Sequence, residues 1–345
     1  MSQLSYILSR IRKMDTAKMR KTAHELSGKA HKPAAYLFAD MVLCGFRYGA
    51  GYLDYRLFEF YDRTAAQRAS YLTRGKSNAM IAKYNNAERA TLVENKRAFC
   101  DLFGDYLGRD WLDISTAGEA AVAVFRAKHP VFFAKTPEGM CGSGVRRINS
   151  ADFSPATLQQ QLAAEGFTLW EEAIRQHAEM AALCPKAVNT LRMVTLALED
   201  GVHLLAVFLR MGNGKDVDNL NAGGFAAPVE IETGVVAHPA TDKNGVLYEM
   251  HPFSGKAILG FQVPFWPECL ALVQRAARVE PTVRYIGWDV ALTPAGPVLV
   301  EANTFPGHDI TQMPAHTPGK TGMLPLIQQV EAAAAAKKQE GGAAQ

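Results

Sequence analysis

Asp289, Glu301 and Asn303 combine residue types and spacing that suit metal-assisted chemistry. Trp288 to Leu292 and Val298 to Ala302 are apolar, β-favouring runs around Thr293-Pro294-Ala295-Gly296-Pro297, a stretch whose prolines and glycine suit a turn and cannot continue a ladder. The pattern predicts a β-hairpin. Side chains alternate faces along a strand, so Glu301 and Asn303 point to one side and the turn folds Asp289 back towards them. Two carboxylates and an amide oxygen are hard ligands suited to Mg²⁺ or Mn²⁺, and Mg²⁺ commonly completes its shell with water and nucleotide phosphates. The alternative is a surface hairpin whose polar residues face water.

A second group stands earlier in the chain. Pro130 to Ala134 reads as a strand that delivers Lys135 into Thr136-Pro137-Glu138-Gly139-Met140-Cys141-Gly142-Ser143-Gly144, and Val145 to Ile148 reads as the strand that follows. A lysine entering a glycine-rich turn sets an ammonium beside unshielded backbone N–H groups, as polyphosphate binding requires. It is not a P-loop, since no Gly-Lys-Ser/Thr follows, and not a dinucleotide fingerprint, since a strand and not a helix comes next.

The elements that must position these groups are legible in outline. Residues 1 to about 90 show helical periodicity, with Leu37, Met41, Cys44 and Tyr48 on one stripe and an aromatic patch at Tyr52, Tyr55, Phe58, Phe60 and Tyr61, either core or the wall of an acceptor pocket. Ala87 to Gly104 reads as a charged helix and Ala120 to Phe125 as a strand. Phe153 to Glu165 is expected to be helical, and Gly166 to Trp170 a strand ending at Glu171-Glu172-Ala173-Ile174. Val188 to Glu199 and Val202 to Met211 form a strand pair about Asp200-Gly201, carrying Arg192 and Arg210. Pro267 to Glu280 is a helix before the hairpin, and Glu331 to Gln345 a fraying helix and disordered tail.

Composition bounds the rest. At 345 residues, 48% hydrophobic and 21% charged, the chain is of ordinary globular character and long enough for two or three packed units. A net charge of +3 is too mild to indicate nucleic acid. Five scattered cysteines without metal-ligand spacing indicate neither a disulfide framework nor a zinc site, and fit a reducing cytoplasm. No signal peptide or transmembrane segment is expected; Ser5 to Arg12 with Lys13 can form a short basic amphipathic helix, either a membrane-surface contact or a solvated face.

Taken together, the pieces resemble the ATP-grasp superfamily, and within it the sugar-transfer-associated branch related to glutamate ligases. The resemblance rests on Val188-Asn189-Thr190-Leu191-Arg192, Arg210-Met211-Gly212, Asp218-Asn219 with Gly223-Gly224, His251-Pro252-Phe253-Ser254-Gly255, Pro264-Phe265-Trp266, Gly287-Trp288-Asp289 and Gly296-Pro297 with Glu301-Ala302-Asn303, in the family's order over about residues 90 to 325. It implies an α+β fold in which two lobes clasp ATP, with a small lobe over 91–170, a large lobe over 171–330 and a helical region over 1–90.

The resemblance also implies roles. Lys96 and Lys135 would contact the nucleotide phosphates, with Gly142, Ser143 and Gly144 in a loop closing over them. Glu171, Glu172 and Ile174 would hold adenine at an inter-lobe strand, Asn219 would add a nucleotide contact, and Asp289, Glu301 and Asn303 would be the metal ligands. Where D-alanine ligases carry an arginine two residues before the metal-binding aspartate, this chain has Gly287, and Arg192 and Arg210 are the cations available to an anionic transition state. The implied activity is an ATP-dependent carboxylate–amine ligase acting on small molecules through an acyl-phosphate, tied to cell-surface polysaccharide synthesis. A small-molecule kinase and a non-catalytic nucleotide-binding module are the alternatives.

Overall fold

The computed structural model describes residues 15–138, 144–153, 157–214 and 223–343, with side chains to residue 340. The helices are α1 (Thr16–Ala30), α2 (Ala34–Tyr48), α3 (Tyr52–Leu57), α4 (Ala65–Ser70), α5 (Arg74–Tyr84), α6 (Ala87–Glu94), α7 (Lys96–Leu102), α8 (Glu119–Lys128), α9 (Leu158–Ala164), α10 (Ala178–Leu183), α11 (Trp266–Ala276) and α12 (Leu324–Ala343). The strands are β1 (Trp111–Asp113), β2 (Val131–Lys135), β3 (Val145–Asn149), β4 (Leu169–Glu172), β5 (Thr190–Leu198), β6 (Gly201–Met211), β7 (Phe225–Pro228), β8 (Ala240–Thr241), β9 (Leu247–Tyr248), β10 (Tyr285–Thr293) and β11 (Gly296–Asn303). No helix among the described residues is long and apolar enough to cross a membrane.

Two compact units form. The first contains the chain up to Met80 together with His308–Pro325. Its core is the aromatic patch itself, since Tyr55, Phe58, Phe60 and Tyr71 are fully buried against Leu37, Met41 and Cys44. A buried carboxylate, Asp40, is neutralised there by Arg68, whose Nη1 and Nη2 both donate to it at 2.8 Å, and it accepts from the hydroxyl of Tyr55 at 2.7 Å. The returning segment is held by Gln312, whose side chain accepts from Leu72 N at 2.8 Å and donates to Leu72 O at 2.9 Å, like a strand partner. Residues 308–325, expected in the large lobe, thus pack with the N-terminal helices.

The second unit, Ile81–Gly307 with the chain from Leu326, holds both sheets. A four-stranded sheet has the order β1-β4-β2-β3, and a seven-stranded sheet the order β11-β10-β5-β6-β7-β8-β9. β10 lies second in its sheet and is buried through almost its whole length. Trp288, Val290 and Leu292 turn to the main core with Leu191, Met193, Leu272 and Val273, and the indole N–H of Trp288 donates to Thr195 Oγ1 at 2.8 Å. The period of two then sends Gly287 and Asp289 to the other face.

Three local expectations are corrected. Ala120 to Phe125 lies in α8, not a strand: only Val122 and Phe125 of that helix are buried, a spacing of three that fits a helical face. The single helix expected over Ala87 to Gly104 breaks at Asn95, whose backbone is extended and whose side chain accepts from Ala98 N at 3.0 Å, so that Lys96 starts a new helix. The C-terminal tail expected from Glu331 is helical to Ala343, and Glu331 is anchored by Lys83 Nζ at 2.6 Å and by the Tyr84 hydroxyl.

Candidate active site

The hairpin forms as the alternation requires, with one irregularity that matters. Asp289 pairs with Glu301 and Gly287 with Asn303, but Val290 pairs with Leu299, leaving Val300 as an extra residue. This bulge keeps Glu301 and Asn303 on the Asp289 face while the remaining hairpin packs on the core. Arg109 braces it: Nη1 donates to Leu299 O at 2.6 Å and Nη2 to Val300 O at 3.4 Å.

Across the sheet, Asp289 is also the register partner of Arg192 on β5. Arg192 grips it with Nε at 2.5 Å from Oδ1 and Nη2 at 3.1 Å from Oδ2, and Arg210 on β6 donates to Oδ2 at 2.7 Å. The expected surface alternative fails, because Asp289 is 4% and Arg210 8% exposed. Burial pushes the Asp289 carboxyl up, but Arg192 and Arg210 outweigh it and hold it well below the usual range. Glu301 moves the other way, pushed up to about 7 by burial and then by the Asp289 carboxylate beside it. The Asn303 amide donates to Gly287 O at 3.2 Å and Glu301 Oε1 at 3.4 Å, so its oxygen is the atom it can offer a cation.

The buried Asp289 carboxylate and the half-buried Glu301 carboxyl beside it, which cannot both ionise comfortably, form with the Asn303 amide oxygen a donor set that a divalent cation would relieve. Asp289, Glu301 and Asn303 fit Mg²⁺ on that ground.

Lys135 ends β2, and its Nζ lies 2.8 Å from Glu171 Oε1. The other oxygen of Glu171 takes Arg109, with Nε and Nη2 both at 2.7 Å. Burial would raise the Glu171 carboxyl, yet Arg109 and Lys135 together bring it down to about 2. Arg109 therefore ties the strand beside Lys135 to the bulge beside Glu301. No sequence pattern marked Arg109; its partners are far away in the chain.

Lys96 is brought to the same place. Burial lowers its pKa first, and the groups whose charges it feels are Glu301, Lys135 and Glu171. Its backbone N–H donates to Pro137 O at 3.1 Å, attaching α7 to the start of the glycine-rich turn. Gly144 closes that turn, accepting from Thr136 N at 2.9 Å with φ +75°, and a β-carbon there would lie 2.2 Å from Thr136 Oγ1. Gly142 and Ser143 lie outside the described residues, as do Asn219 and the segment Ser5 to Lys13.

The reading of Glu171 and Glu172 as an adenine edge changes. Glu171 sits between β1 and β2, with register partners Trp111 and Phe133, so its backbone is committed to the sheet. Glu172 N donates to Asp110 O at 2.9 Å, and its Oε2 accepts from Asp110 N at 3.0 Å. Ala173 and half-buried Ile174 follow the strand end.

Residues 76–332 match the family described as sugar-transfer associated ATP-grasp. The chain belongs to this family. With the family comes the ATP-grasp fold, here α+β and preceded by a helical N-terminal region. No curated protein matches the chain. Among solved structures, the ATP-grasp member is similar to the D-alanine-D-alanine ligase from Coxiella burnetii, at 12% identity over 78% of this chain and 68% of that one, TM-score 0.45. It is also similar to the ATP-grasp ligase PsnB complexed with minimal precursor, Mg and ADP, at 15% identity over 78% of this chain and 69% of that one, TM-score 0.41. Against PsnB complexed with minimal precursor alone the identity is 14% over 64% of this chain, TM-score 0.38, and the chain spans 55% of that protein's length.

Proposed function

We propose that this ATP-grasp protein is a Mg²⁺-dependent ligase that couples ATP cleavage to amide formation between a carboxylate and an amine through an acyl-phosphate. The observation that carries the reading is the cross-strand line Glu301–Asp289–Arg192, joined by Arg210 and Asn303 on one face and by Lys96 and Lys135 nearby. Phosphoryl transfer asks a protein mainly for positioning and charge neutralisation, and this set supplies both without a nucleophilic side chain.

In this reading Asp289, Glu301 and Asn303 hold the metal, which when bound screens phosphate charge. Lys135, oriented by Glu171, and Lys96 bind the phosphates, Ala173 and Ile174 flank the adenine, and the turn from Thr136 to Gly144 covers the phosphates and excludes water. Arg192 and Arg210 donate to the oxygens that gain charge. A carboxylate-bearing amino acid or glycan, joined to an amine in cytoplasmic steps of cell-surface polysaccharide synthesis, suits the family's association with sugar transfer.

The test is a mass-spectrometric screen of amino acids and uronic acids, in pairs with amines, with Mg-ATP. A conjugate lighter than its two parts by one water, formed with ADP and phosphate, is expected. ADP with a stable phosphorylated product would make it a kinase, and absence of any ADP a binding module.

A further inference from the structure

A second cluster of metal-ligand types stands apart from the hairpin. Asp110 precedes β1, His129 follows the last residue of α8, and Glu172 ends β4. Their potential ligand atoms all lie within 4.8 Å of one another. Glu172 N–H to Asp110 O and Asp110 N–H to Glu172 Oε2 hold two of these residues side by side. His129 is fixed by its N–H to Phe125 O at 2.8 Å and by its ring against the Phe125 ring, centroids 4.8 Å apart. The imidazole is 7% exposed and has a carboxylate on each nitrogen: Nε2 lies 2.7 Å from Asp110 Oδ2, and Nδ1 lies 4.0 Å from Glu172 Oε1, too far for a hydrogen bond.

We propose that Asp110, His129 and Glu172 bind a divalent transition metal, with Zn²⁺ as the best match. One imidazole nitrogen with two carboxylate oxygens is a borderline set that Mg²⁺, which prefers oxygen alone, does not favour. Metal–ligand bonds of about 2.0–2.2 Å put the ligand atoms of a tetrahedral site about 3.3–3.6 Å apart, so closure needs a shift of roughly 1.2–1.5 Å. The two carboxylates can supply it, since their side chains are 43% and 40% exposed while the buried imidazole stays still. Asp110 and Lys128 also line an open cleft of about 640 Å³.

Lys128 is the metal's competitor. Its Nζ lies 2.5 Å from Asp110 Oδ2, but its side chain is 64% exposed, and such surface pairs are weak. A bound ion would replace it and tie α8 to β4, the strand whose Glu171 holds Lys135.

The test uses the full chain, stripped of metal and titrated with Zn²⁺ by calorimetry and with Co²⁺ by visible absorption. Any binding at the Asp289–Glu301 hairpin is common to all variants and cancels. We expect one Zn²⁺ equivalent that His129→Gln and Asp110→Asn each weaken by about 10-fold or more, and d–d bands in Co²⁺ protein that both variants lose. Lys128→Ala should bind about 2- to 5-fold more tightly, because the competing ammonium is gone; a purely structural salt-bridge cluster has no reason to show this. Isotherms and spectra that superimpose across wild type, His129→Gln and Asp110→Asn, or no Zn²⁺ binding in either wild type or Lys128→Ala, would overturn the proposal.

Discussion

Arg192 and Pro306 share the space that a side chain at Gly287 would need: a β-carbon there would sit 2.8 Å from Pro306 Cβ and 3.1 Å from Arg192 Cδ. With Gly287 two residues before Asp289, the guanidinium beside that carboxylate comes from Arg192 on the neighbouring strand. Gly287 is less a missing group than the condition for Arg192 to lie across Asp289.

Gly287→Ala should therefore push Pro306 away and shift Arg192, which donates to both Pro306 O and Asp289. Overpacking of this kind costs about 1–3 kcal/mol, and ADP formation should fall about 10-fold or more. Thermal melts and initial rates check both; an alanine variant with unchanged melting and turnover would mean that the packing of Gly287 does not set the position of Arg192.

Glu171 makes an acid-stability prediction. Its carboxyl is held at about 2 against an ordinary 4.5, so the unfolded chain takes up the proton more readily. The stabilisation is fully present above pH 4.5 and is lost as pH falls towards 2, in total about 3 kcal/mol. Glu171→Gln should be the less stable protein at pH 6, and its gap from wild type should narrow by about 1 kcal/mol at pH 3.5. Denaturant titrations at the two pH values measure it, and an unchanging gap counts against the ion-paired state.

Lys135→Ala should weaken ATP binding by about 1.5–3 kcal/mol, the worth of a charge-assisted hydrogen bond, with Lys96→Ala weaker in effect. Calorimetric affinities equal to wild type would take both lysines out of the phosphate site.

Gly144→Val places a side chain where φ is +75° and Thr136 already stands. The base of the turn must move, and amide formation should drop several-fold more than ATP hydrolysis as water gains entry. Equal losses in the two assays would mean that the turn does not exclude water.

What could be read beforehand followed from local patterns. The Asp289 hairpin was legible because alternation and turn residues act within a few positions, and the strands bearing Arg192 and Arg210 for the same reason. Their common grip on Asp289 was not, since it depends on the register between β10 and β5. Arg109 carried no signal: the groups it joins, Glu171 and Leu299, are 62 and 190 residues away. Ala120 to Phe125 misled because a short apolar run has no clear period, and packing of Val122 and Phe125 decided for a helix.

If the Asp289–Glu301–Asn303 face holds the metal that makes ATP reactive, Glu301→Gln/Asn303→Ala must lose Mg²⁺-dependent ADP release. Both side chains lie outside the main core, so the double variant should melt within a few degrees of wild type while its Mg²⁺-dependent ADP release falls to background. A folded double variant that still turns over ATP at the wild-type rate would mean that this face does not hold the metal.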